Sequence, residues 1–399
     1  MLRIVAAIDF LAPGSGGAGV AIDKLFDRIA KSELVHEVKI ICYKSKGLEK
    51  DLARLSSNPI YELWNGIPFP FWDNSDGFVL LKYKTIRKRL DKICPNIIVL
   101  GASTILTLQI SRYAFYNNIP FIFISHTQPE ILFLYLKKVL GKTIASGIVS
   151  YIQRKIYSIY ANASLFVFPT EVSLNYLSPR ALSKIDQSKI IILSNGVDLE
   201  TFRYHTESTK LQRLIEGQIK LLFVGRLMID KMPDIPIRAL KIIKQKYPNT
   251  VLTIVGIGPR SKELKKLVIN ESLSDAVHFT DHISETDLVN YYHQSHFTIV
   301  PSYTEMQSLV TLESIACGTP VIASDAFYNA AKSIVIDNEC GSVYNYQSPK
   351  ALAEVIINLA DNKTVYENFT TNCLKTRERY SYKIICEKWL EHMIKLTGQ

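Results

Sequence analysis

Residues 297–324, FTIVPSYTEMQSLVTLESIACGTPVIAS, alternate between two kinds of segment. The stretch begins and ends with short runs of apolar and β-branched residues, and a longer helical pattern lies between them. Runs of this kind are typical of strands buried on both faces, and parallel sheets carry such strands with helices between them. The stretch therefore predicts a strand, a helix and a second, parallel strand.

The same alternation extends along nearly the whole chain. Further strand-like runs occupy residues 4–10, 38–43, 97–100, 121–125, 165–169, 190–194, 219–224, 251–255 and 277–280. The alternation breaks at residues 204–218, which are polar and contain no strand-like run, so we interpret this segment as a linker. The pattern predicts an α/β protein with two doubly wound, Rossmann-like domains that face each other across a cleft. We expect domains at residues 1–205 and 206–379, and a C-terminal helix at residues 380–399 that packs back toward the N-terminal domain.

Length and composition exclude several classes of protein. The chain has 399 residues, of which 47% are hydrophobic and 21% charged, so it is neither disordered nor fibrous. The first residues are typical of a β-strand rather than a signal peptide, and no uncharged apolar run approaches the roughly 18 residues of a spanning helix. We expect a cytoplasmic protein that is at most peripheral on the inner face of the cell membrane.

The net charge of +10 is concentrated in two segments. Residues 82–92 hold six cations against Asp91 alone, and residues 131–160 hold five cations, no acid and many aromatic side chains. A basic helix with aromatic residues binds anionic lipid or nucleic acid, or is a solvated surface whose aromatic residues belong to the core. No nucleic-acid-binding motif accompanies these segments, so we predict an anionic membrane surface as the partner of 82–92 and 131–160, and no nucleic acid.

A glycine loop at residues 14–19, GSGGAG, matches the dinucleotide-binding pattern G-x-G-x-x-G. That pattern also requires an acid at the end of the second strand to hold the ribose, and residues 44–46 are Lys-Ser-Lys. An NAD(P)-dependent oxidoreductase is therefore an alternative that the sequence disfavours. A loop that approaches phosphate or sugar at a helix N-terminus fits better, and a plain turn also remains open.

Two motifs of the second half place glycine and cations just past predicted strands. In residues 223–231, FVGRLMIDK, Gly225 precedes Arg226 and Lys231, and these two cations suit a diphosphate because guanidinium and ammonium groups both bind phosphate oxygens. Residues 252–259, LTIVGIGP, end another strand with Gly256 and Gly258 at the same predicted edge of the sheet.

Two acids lie in the opening stretch of sequence. Glu305 falls in the loop after the strand, and Glu313 lies eight residues further on, inside the predicted helix. The helix N-terminus near Ser308 and Leu309 directs backbone N–H groups and the positive end of the helix dipole toward an anion.

Together these motifs resemble family 4 of the nucleotide-sugar-dependent glycosyltransferases, which are retaining enzymes with the GT-B fold. The resemblance covers nearly the whole chain in the right order, and its second half is the more specific. The matching pieces are Gly16-Gly17, His36-Glu-Val38, Asn195-Gly-Val-Asp198 with Phe202, Gly225-Arg226-Leu227 with Lys231, Gly256-x-Gly258-Pro259, and Glu305 with Glu313 ahead of Ala316-Cys-Gly-Thr-Pro320.

The resemblance implies roles for individual residues. Arg226 and Lys231 would neutralise the leaving diphosphate, which suits a chain without an Asp-x-Asp metal motif. Glu305 would contact the donor sugar, Glu313 the ribose hydroxyls, and His126 would be the active-site histidine. The other implied donor-binding positions are Gly16, Gly17, Gly225, Gly256, Gly258, His282, Ile283, Met306, Gln307, Ser308 and Leu309.

The resemblance predicts a retaining, metal-independent hexosyltransferase. It would move a hexosyl unit from a UDP- or GDP-sugar, with no further cofactor, to a hydroxyl of a glycan or lipid-linked acceptor in cell-surface polysaccharide or glycolipid biosynthesis. A non-catalytic subunit that only binds nucleotide sugar is the second alternative. The chain departs from the family at Met306-Gln307-Ser308, where Gly-Phe-Gly is frequent, and at Met232 and Asp281, where glycine is common.

Overall fold

The structure, a computed structural model, describes residues 1–8, 17–43, 57–65, 67–68, 77–79, 81–101, 103–126, 133, 136–137, 139–205, 210–281 and 283–399. The chain divides into two compact units. The first unit consists of residues 1–195 together with residues 382–399, and the second of residues 196–381.

The described part of the first unit is built on a seven-stranded parallel sheet with the strand order β3-β2-β1-β6-β7-β8-β9. A two-stranded antiparallel pair, β4 and β5, lies apart from it. The strands are β1 (Leu2–Ala7), β2 (Val35–Tyr43), β3 (Tyr61–Trp64), β4 (Ile67–Pro68), β5 (Gly77–Phe78), β6 (Ile97–Leu100), β7 (Phe121–Ile124), β8 (Leu165–Phe168) and β9 (Ile190–Ile192).

Helices cover both faces of this sheet. On one face, α2, α3 and α4 bury residues in a common core, and α1 and the last helix, α14, share the core of the other face. The helices are α1 (Gly17–Ile29), α2 (Tyr83–Ile93), α3 (Ile105–Tyr116), α4 (Lys142–Ile159), α5 (Pro179–Leu182) and α14 (Tyr382–Thr397), with 3-10 turns at Glu171–Tyr176 and Gln187–Lys189.

The second unit repeats this architecture. Over residues 210–281 and 283–381, six strands form a parallel sheet in the order β12-β11-β10-β13-β15-β17, and β14 pairs with β16 beside it. The strands are β10 (Lys220–Val224), β11 (Val251–Val255), β12 (Val277–Thr280), β13 (Phe297–Val300), β14 (Thr304–Glu305), β15 (Val321–Ser324), β16 (Tyr328–Asn329) and β17 (Gly341–Tyr344).

The helices of the second unit also pack on both faces of its sheet. They are α6 (Lys210–Ile215), α7 (Asp234–Ile243), α8 (Ser261–Asn270), α9 (Glu285–Gln294), α10 (Leu309–Ala316), α11 (Ala330–Asp337), α12 (Pro349–Asp361) and α13 (Lys363–Thr376), followed by a 3-10 turn at Arg377–Tyr380. The predicted strand, helix and parallel strand of residues 297–324 are β13, α10 and β15, so the α/β class and the doubly wound sheets are confirmed.

The boundary between the units lies ten residues before the predicted one. Residues 204–218, which we predicted to be a linker, belong to the second unit and contain α6. The physical reason is burial, because Phe202, just before the polar stretch, and Leu214, within it, are 2% and 1% exposed in cores of the second unit. A short helix with a polar surface and a linker have the same composition. Only the packing of the segment against a core distinguishes the helix from the linker.

The last helix returns to the first unit. Trp389 on α14 packs edge-on against Phe26 of α1, with ring centroids 6.1 Å apart, and both side chains are buried. Ile385, Leu390 and Met393 are buried on the same face of the helix, because Ile385 and Met393 each lie four residues from Trp389 and Leu390 lies three from Met393.

Candidate active site

Arg226 lies two residues past the end of β10, at the carboxyl edge of the second sheet. Its guanidinium is half-buried and forms no hydrogen bond or ion pair with any residue that the structure describes. The backbone of this turn is held in place, since Gly225 N donates to Val255 O at 3.0 Å and Leu227 N to Ile257 O at 2.9 Å. The backbone of Arg226 is thus fixed, and its guanidinium donors are available to a ligand.

The loops that follow β10 and β11 touch at Gly256. Its φ is +144°, and a Cβ added there would lie 2.0 Å from Gly225 O, so the position accepts no side chain. A Cβ on Gly258 would meet the Leu227 carbonyl oxygen at 2.6 Å. The predicted donor-binding glycines therefore serve the close approach of two loops at the sheet edge.

Lys231 connects the loop after β10 to the loop after β13. Its ammonium donates to Glu305 Oε1 at 2.7 Å and to Thr304 O at 3.4 Å. Ser302 Oγ donates to the same Glu305 oxygen at 2.7 Å. The two side chains of the ion pair are only 17% and 15% exposed, so this is a sheltered pair whose geometry is set from both loops.

Asp230 is a second carboxylate beside Lys231. It is 1% exposed, its Oδ2 lies 3.9 Å from the Lys231 nitrogen, and neither oxygen accepts a hydrogen bond from the described residues. Tyr303 N donates to the Asp230 backbone oxygen at 2.7 Å, which ties the two loops together again. Sequence reasoning did not select Asp230, because a charged residue in a polar loop is usually exposed.

Glu313 lies on α10, where it faces α9. Tyr292, which is fully buried, donates its hydroxyl to Glu313 Oε2 at 2.8 Å. Burial and the nearby carboxylate raise the pKa of Tyr292 well above its ordinary value, so the hydroxyl stays a donor. The bond holds one carboxylate oxygen of Glu313, and sequence offered no signal for its partner 21 residues upstream.

The N-terminus of α10 follows the Glu305 loop directly. Ser308 is the N-cap residue, and its side chain accepts a hydrogen bond from Thr311 N at 3.2 Å. The φ of Ser308 is −79°, so serine adopts this conformation without strain although the family often has glycine there. The backbone of Met306, Gln307, Ser308 and Leu309, which we predicted to cradle sugar and phosphate, leads from Glu305 into this helix.

Met232, in contrast, adopts a conformation that favours glycine. Its φ is +50°, in the left-handed region, and its side chain packs partly buried against the core. Met232, where the family commonly has glycine, thus has a backbone conformation that glycine adopts without strain.

His126 lies in the first unit, just past β7. Its Nε2 lies 3.2 Å from Asn195 Oδ1, and its buried Nδ1 has no partner among the described residues. Burial lowers the pKa of His126 to about 4, so the imidazole is neutral at physiological pH.

Some predicted positions lie outside the described residues. Gly16 and His282 are among them, as is the first half of the loop at residues 14–19, whose second half begins α1 at Gly17. Ile283 is described and packs partly buried against the core of the second unit, two residues before the start of α9. Over the described residues, no cluster of three His, Cys, Asp or Glu side chains has the arrangement of a metal site.

Two family models match the chain, one on each half. The model described as "Glycosyltransferase Family 4" matches residues 15–201, and the model described as "Glycosyl transferases group 1" matches residues 206–376. The two matched regions meet within a few residues of each other and together cover most of the chain.

The chain belongs to the family 4 glycosyltransferases.

Curated relatives of this family 4 chain include a D-inositol 3-phosphate glycosyltransferase of Thermomonospora curvata. The two are 28% identical over 224 residues, which is 52% of this chain and 51% of the relative. The chain therefore aligns with about half the length of the curated relatives that it matches.

Solved structures show the same fold over the full length of this family 4 chain. The Anabaena protein HepE, in complex with UDP, superimposes with a TM-score of 0.75 at 16% identity, over 98% of this chain and 99% of that one. The sucrose-phosphate synthase of Thermosynechococcus elongatus gives 0.76 at 20% identity, over 99% of both chains. The two parallel-sheet units are thus those of the GT-B fold.

Proposed function

We propose that this chain is a retaining hexosyltransferase that uses a nucleoside diphosphate sugar. The observation that carries the proposal is the Lys231–Glu305 contact of 2.7 Å, which joins the loops after β10 and β13. The order of strands in the sheet supports this assignment, because ligands of doubly wound sheets bind outside the carboxyl ends of the strands, where the order reverses.

The charges suit a leaving diphosphate. Arg226 has a guanidinium without a protein partner among the described residues, and Lys231 is held by Glu305 at the same edge of the sheet. Cations that are already in place in a sheltered site stabilise the negative charge that develops in the transition state. In other enzymes a bound metal ion has this role. We therefore assign charge neutralisation to Arg226 and Lys231.

The proposed step keeps the acceptor and the leaving group on one face of the sugar. The bond between the anomeric carbon and the β-phosphate oxygen breaks, and a bond forms between that carbon and the acceptor oxygen. The acceptor proton passes to the departing phosphate oxygen, so charge and atoms balance. Glu305 orients the sugar and Glu313, fixed by Tyr292, binds the ribose hydroxyls.

Uracil is the favoured base of the donor nucleotide. HepE has been solved with UDP and with UDP-glucose, and its fold matches this chain over nearly the full length. The likeness concerns the fold, so GDP and ADP remain the competitors in the test below. We propose no cofactor besides the donor and no metal requirement.

The acceptor is proposed to be a glycan or a lipid-linked saccharide reached at an anionic membrane surface. The exposed residues of α2 include Arg87, Lys88 and Lys92, and on α4 Ile144 and Tyr151 are 58% and 59% exposed. Both helices share one face of the first sheet. None of the described helices is long and apolar enough to cross a bilayer. A basic face with protruding apolar side chains instead suits peripheral binding at the cytoplasmic side during polysaccharide or glycolipid synthesis.

Thermal unfolding with UDP, GDP, ADP and their sugars tests the donor assignment. A bound nucleotide stabilises the fold by RT ln(1 + [L]/Kd). UDP is therefore expected to raise the Tm, and GDP and ADP are expected to raise it less. Arg226→Ala should remove most of that rise, whereas Arg238→Ala, at an exposed cation on α7 paired with Glu271, should keep it. If no nucleotide raises the Tm, the proposal is overturned.

Anomer-resolved NMR of the first product tests the stereochemistry. A retaining reaction with a UDP-α-hexose yields the α-linked product first. An initially β-linked product would contradict the proposed step while leaving the donor assignment intact.

A further inference from the structure

Four aromatic rings meet at the carboxyl edge of the second sheet, within residues 297–346, all of which the structure describes. Tyr303 follows β13, Phe327 and Tyr328 follow β15, and Tyr346 follows β17. These three strands are neighbours and parallel, so the segments after them lie side by side. We call Tyr303, Phe327, Tyr328 and Tyr346 the aromatic cluster.

The rings of the aromatic cluster form a continuous chain of contacts. Centroids lie 5.0 Å apart for Phe327 and Tyr328, 5.9 Å for Tyr328 and Tyr303, and 5.7 Å for Tyr303 and Tyr346. Phe327 is 60% exposed, although it is a large apolar side chain, and the three tyrosines are half-buried. The half-buried tyrosines thus support Phe327, whose ring is exposed to the solvent.

The aromatic cluster is built onto the candidate active site. In the ladder between β14 and β16, Thr304 pairs with Tyr328 and Glu305 with Asn329. Tyr303 is two residues before Glu305, and its backbone N–H donates to the Asp230 carbonyl at 2.7 Å. A group bound on these rings would therefore lie next to Glu305.

We propose that the aromatic cluster binds a pyranose ring of the acceptor glycan. This inference rests on the proposed function and adds to it a place on the second unit where the acceptor glycan contacts the protein. Arg226 and the glycine loops follow β10 and β11, on one side of β13, whereas Phe327, Tyr328 and Tyr346 follow β15 and β17, on the other side. The nucleotide and the cluster's ligand would then approach Glu305 from opposite sides.

The chemistry of the aromatic cluster matches a sugar better than a wholly apolar partner. One face of a pyranose carries C–H groups that pack on an aromatic ring, while its hydroxyls need donors and acceptors around the rim. Asp325 is exposed beside Phe327, and its Oδ1 is held by Tyr346 N at 2.7 Å. Burial raises the pKa of Tyr346 to about 12, so its hydroxyl stays a neutral donor. An apolar partner would leave such groups unsatisfied.

Saturation-transfer NMR with small saccharides tests the proposal on the full chain. The probes are methyl α-glucoside, methyl β-glucoside, methyl α-mannoside and methyl β-N-acetylglucosaminide at millimolar concentration. At least one probe is expected to receive saturation, strongest at the C–H protons of one ring face. Phe327→Ala should reduce that signal at least threefold, Phe327→Tyr should keep it, and Ile269→Ala, at an apolar side chain on α8 that is 66% exposed, should leave it unchanged.

Each contrary result has a definite meaning. The proposal is overturned if none of the probes receives saturation, or if Phe327→Ala leaves the signal as it was. It is also overturned if the wild-type chain sediments as a dimer that Phe327→Ala dissociates, because the rings would then bind a second copy. The rise in Tm with UDP should be equal in wild type and Phe327→Ala. If UDP gives no rise while the saccharide signal depends on Phe327, the proposed function fails and the saccharide site remains.

Discussion

The Lys231 ammonium lies 2.7 Å from Glu305 Oε1 and links the loops that follow β10 and β13, two neighbouring strands of the second sheet. The pair is sheltered, and Asp230, 1% exposed, adds a second carboxylate 3.9 Å away. A ligand that neutralises the charge of one of these three groups therefore changes the electrostatic interactions of the other two. This relationship makes the loop pair sensitive to single substitutions.

Lys231→Met removes the ammonium and keeps most of the aliphatic volume. We expect the free energy of unfolding to fall by about 1–3 kcal/mol, because Glu305 and Asp230 then lose their cation in a sheltered place. Urea unfolding measures the change. The matched control is Lys246→Met, whose ammonium lies 2.6 Å from Asp361 at 50% and 44% exposure and should contribute about 0–1 kcal/mol. Equal losses in the two variants would contradict a special role for the Lys231 pair.

Tyr292→Phe deletes the hydroxyl that fixes Glu313. The hydrogen bond goes to a carboxylate, so we expect a loss of about 1–3 kcal/mol in stability and a several-fold weaker affinity for UDP, measured by calorimetry. Tyr344→Phe is the control, because its hydroxyl is equally buried but has no partner among the described residues. That variant should be as stable as the wild type or more so. Unchanged UDP affinity in Tyr292→Phe would remove Glu313 from the donor site.

Because of His296, we expect the free energy of unfolding to fall when the pH is lowered. It is fully buried, accepts a hydrogen bond from Lys220 N and donates to Lys210 O, each at 2.8 Å. Burial lowers the pKa of His296 to about 3, with smaller contributions from the charges of Lys210, Arg213 and Lys220. The unfolded imidazole, with a pKa of about 6.5, binds a proton first. Its contribution is therefore complete above about pH 6.5 and declines as the pH falls toward 3.

Denaturant unfolding between pH 7 and 4 measures this slope. His296 should contribute about 1.4 kcal/mol per pH unit below pH 6. His296→Gln should be less stable at pH 7 and should have a slope smaller by that amount. An identical slope in the variant would show that His296 is not the group that resists protonation.

Gly256→Ala should destabilise the second unit by about 3 kcal/mol or more. A Cβ at this position would lie 2.0 Å from the Gly225 carbonyl oxygen, so the two loops would have to separate. Gly147→Ala is the control, because Gly147 lies within α4 and its Cβ would meet no described atom within 4 Å. Alanine there should stabilise the first unit by about 0.5–1 kcal/mol. Thermal unfolding distinguishes the opposite signs, and a harmless Gly256→Ala would exclude the close loop contact.

The exposed cations of α2 and the exposed apolar side chains of α4 predict binding to vesicles that contain phosphatidylglycerol. Flotation should recover the wild-type chain with vesicles of 30% phosphatidylglycerol at low salt and much less with neutral vesicles, because the α2 cations attract anionic lipid. Ile144→Ser with Tyr151→Ser should weaken binding about tenfold or more, since each removes an exposed apolar side chain that inserts at the interface. Ile269→Ser, in the second unit, should have no effect. If the double variant binds vesicles as well as Ile269→Ser does, the exposed side chains of α4 do not form the membrane-binding surface.

Much of the fold follows from local sequence. Strands such as β11, at Val251–Val255, and β12, at Val277–Thr280, lie at the predicted positions, because buried strands of a parallel sheet are continuous apolar runs. Strand β17, Gly341–Tyr344, was not predicted. Its four residues, GSVY, include glycine and serine and carry too little apolar pattern to distinguish a strand from a loop.

The candidate site was predictable in its charged anchors but not in their partners. Arg226, Lys231, Glu305 and Glu313 are recognisable because each follows a strand or a helix N-terminus at a fixed distance. The contact of Lys231 with Glu305 spans 74 residues, and that of Tyr292 with Glu313 spans 21. No local pattern encodes such pairs.

By itself, the sequence determined two doubly wound α/β units and the loops that carry the charged residues, because the periodicity of burial and the signals that end strands act over a few neighbouring residues. Only the tertiary structure decided that Asp230 is buried beside Lys231, that residues 204–218 belong to the second unit, and that four aromatic rings from the segments after β13, β15 and β17 meet one another. These properties depend on which strands become neighbours. Strand order is set by the packing of the whole sheet, whose contacts join residues far apart in the chain.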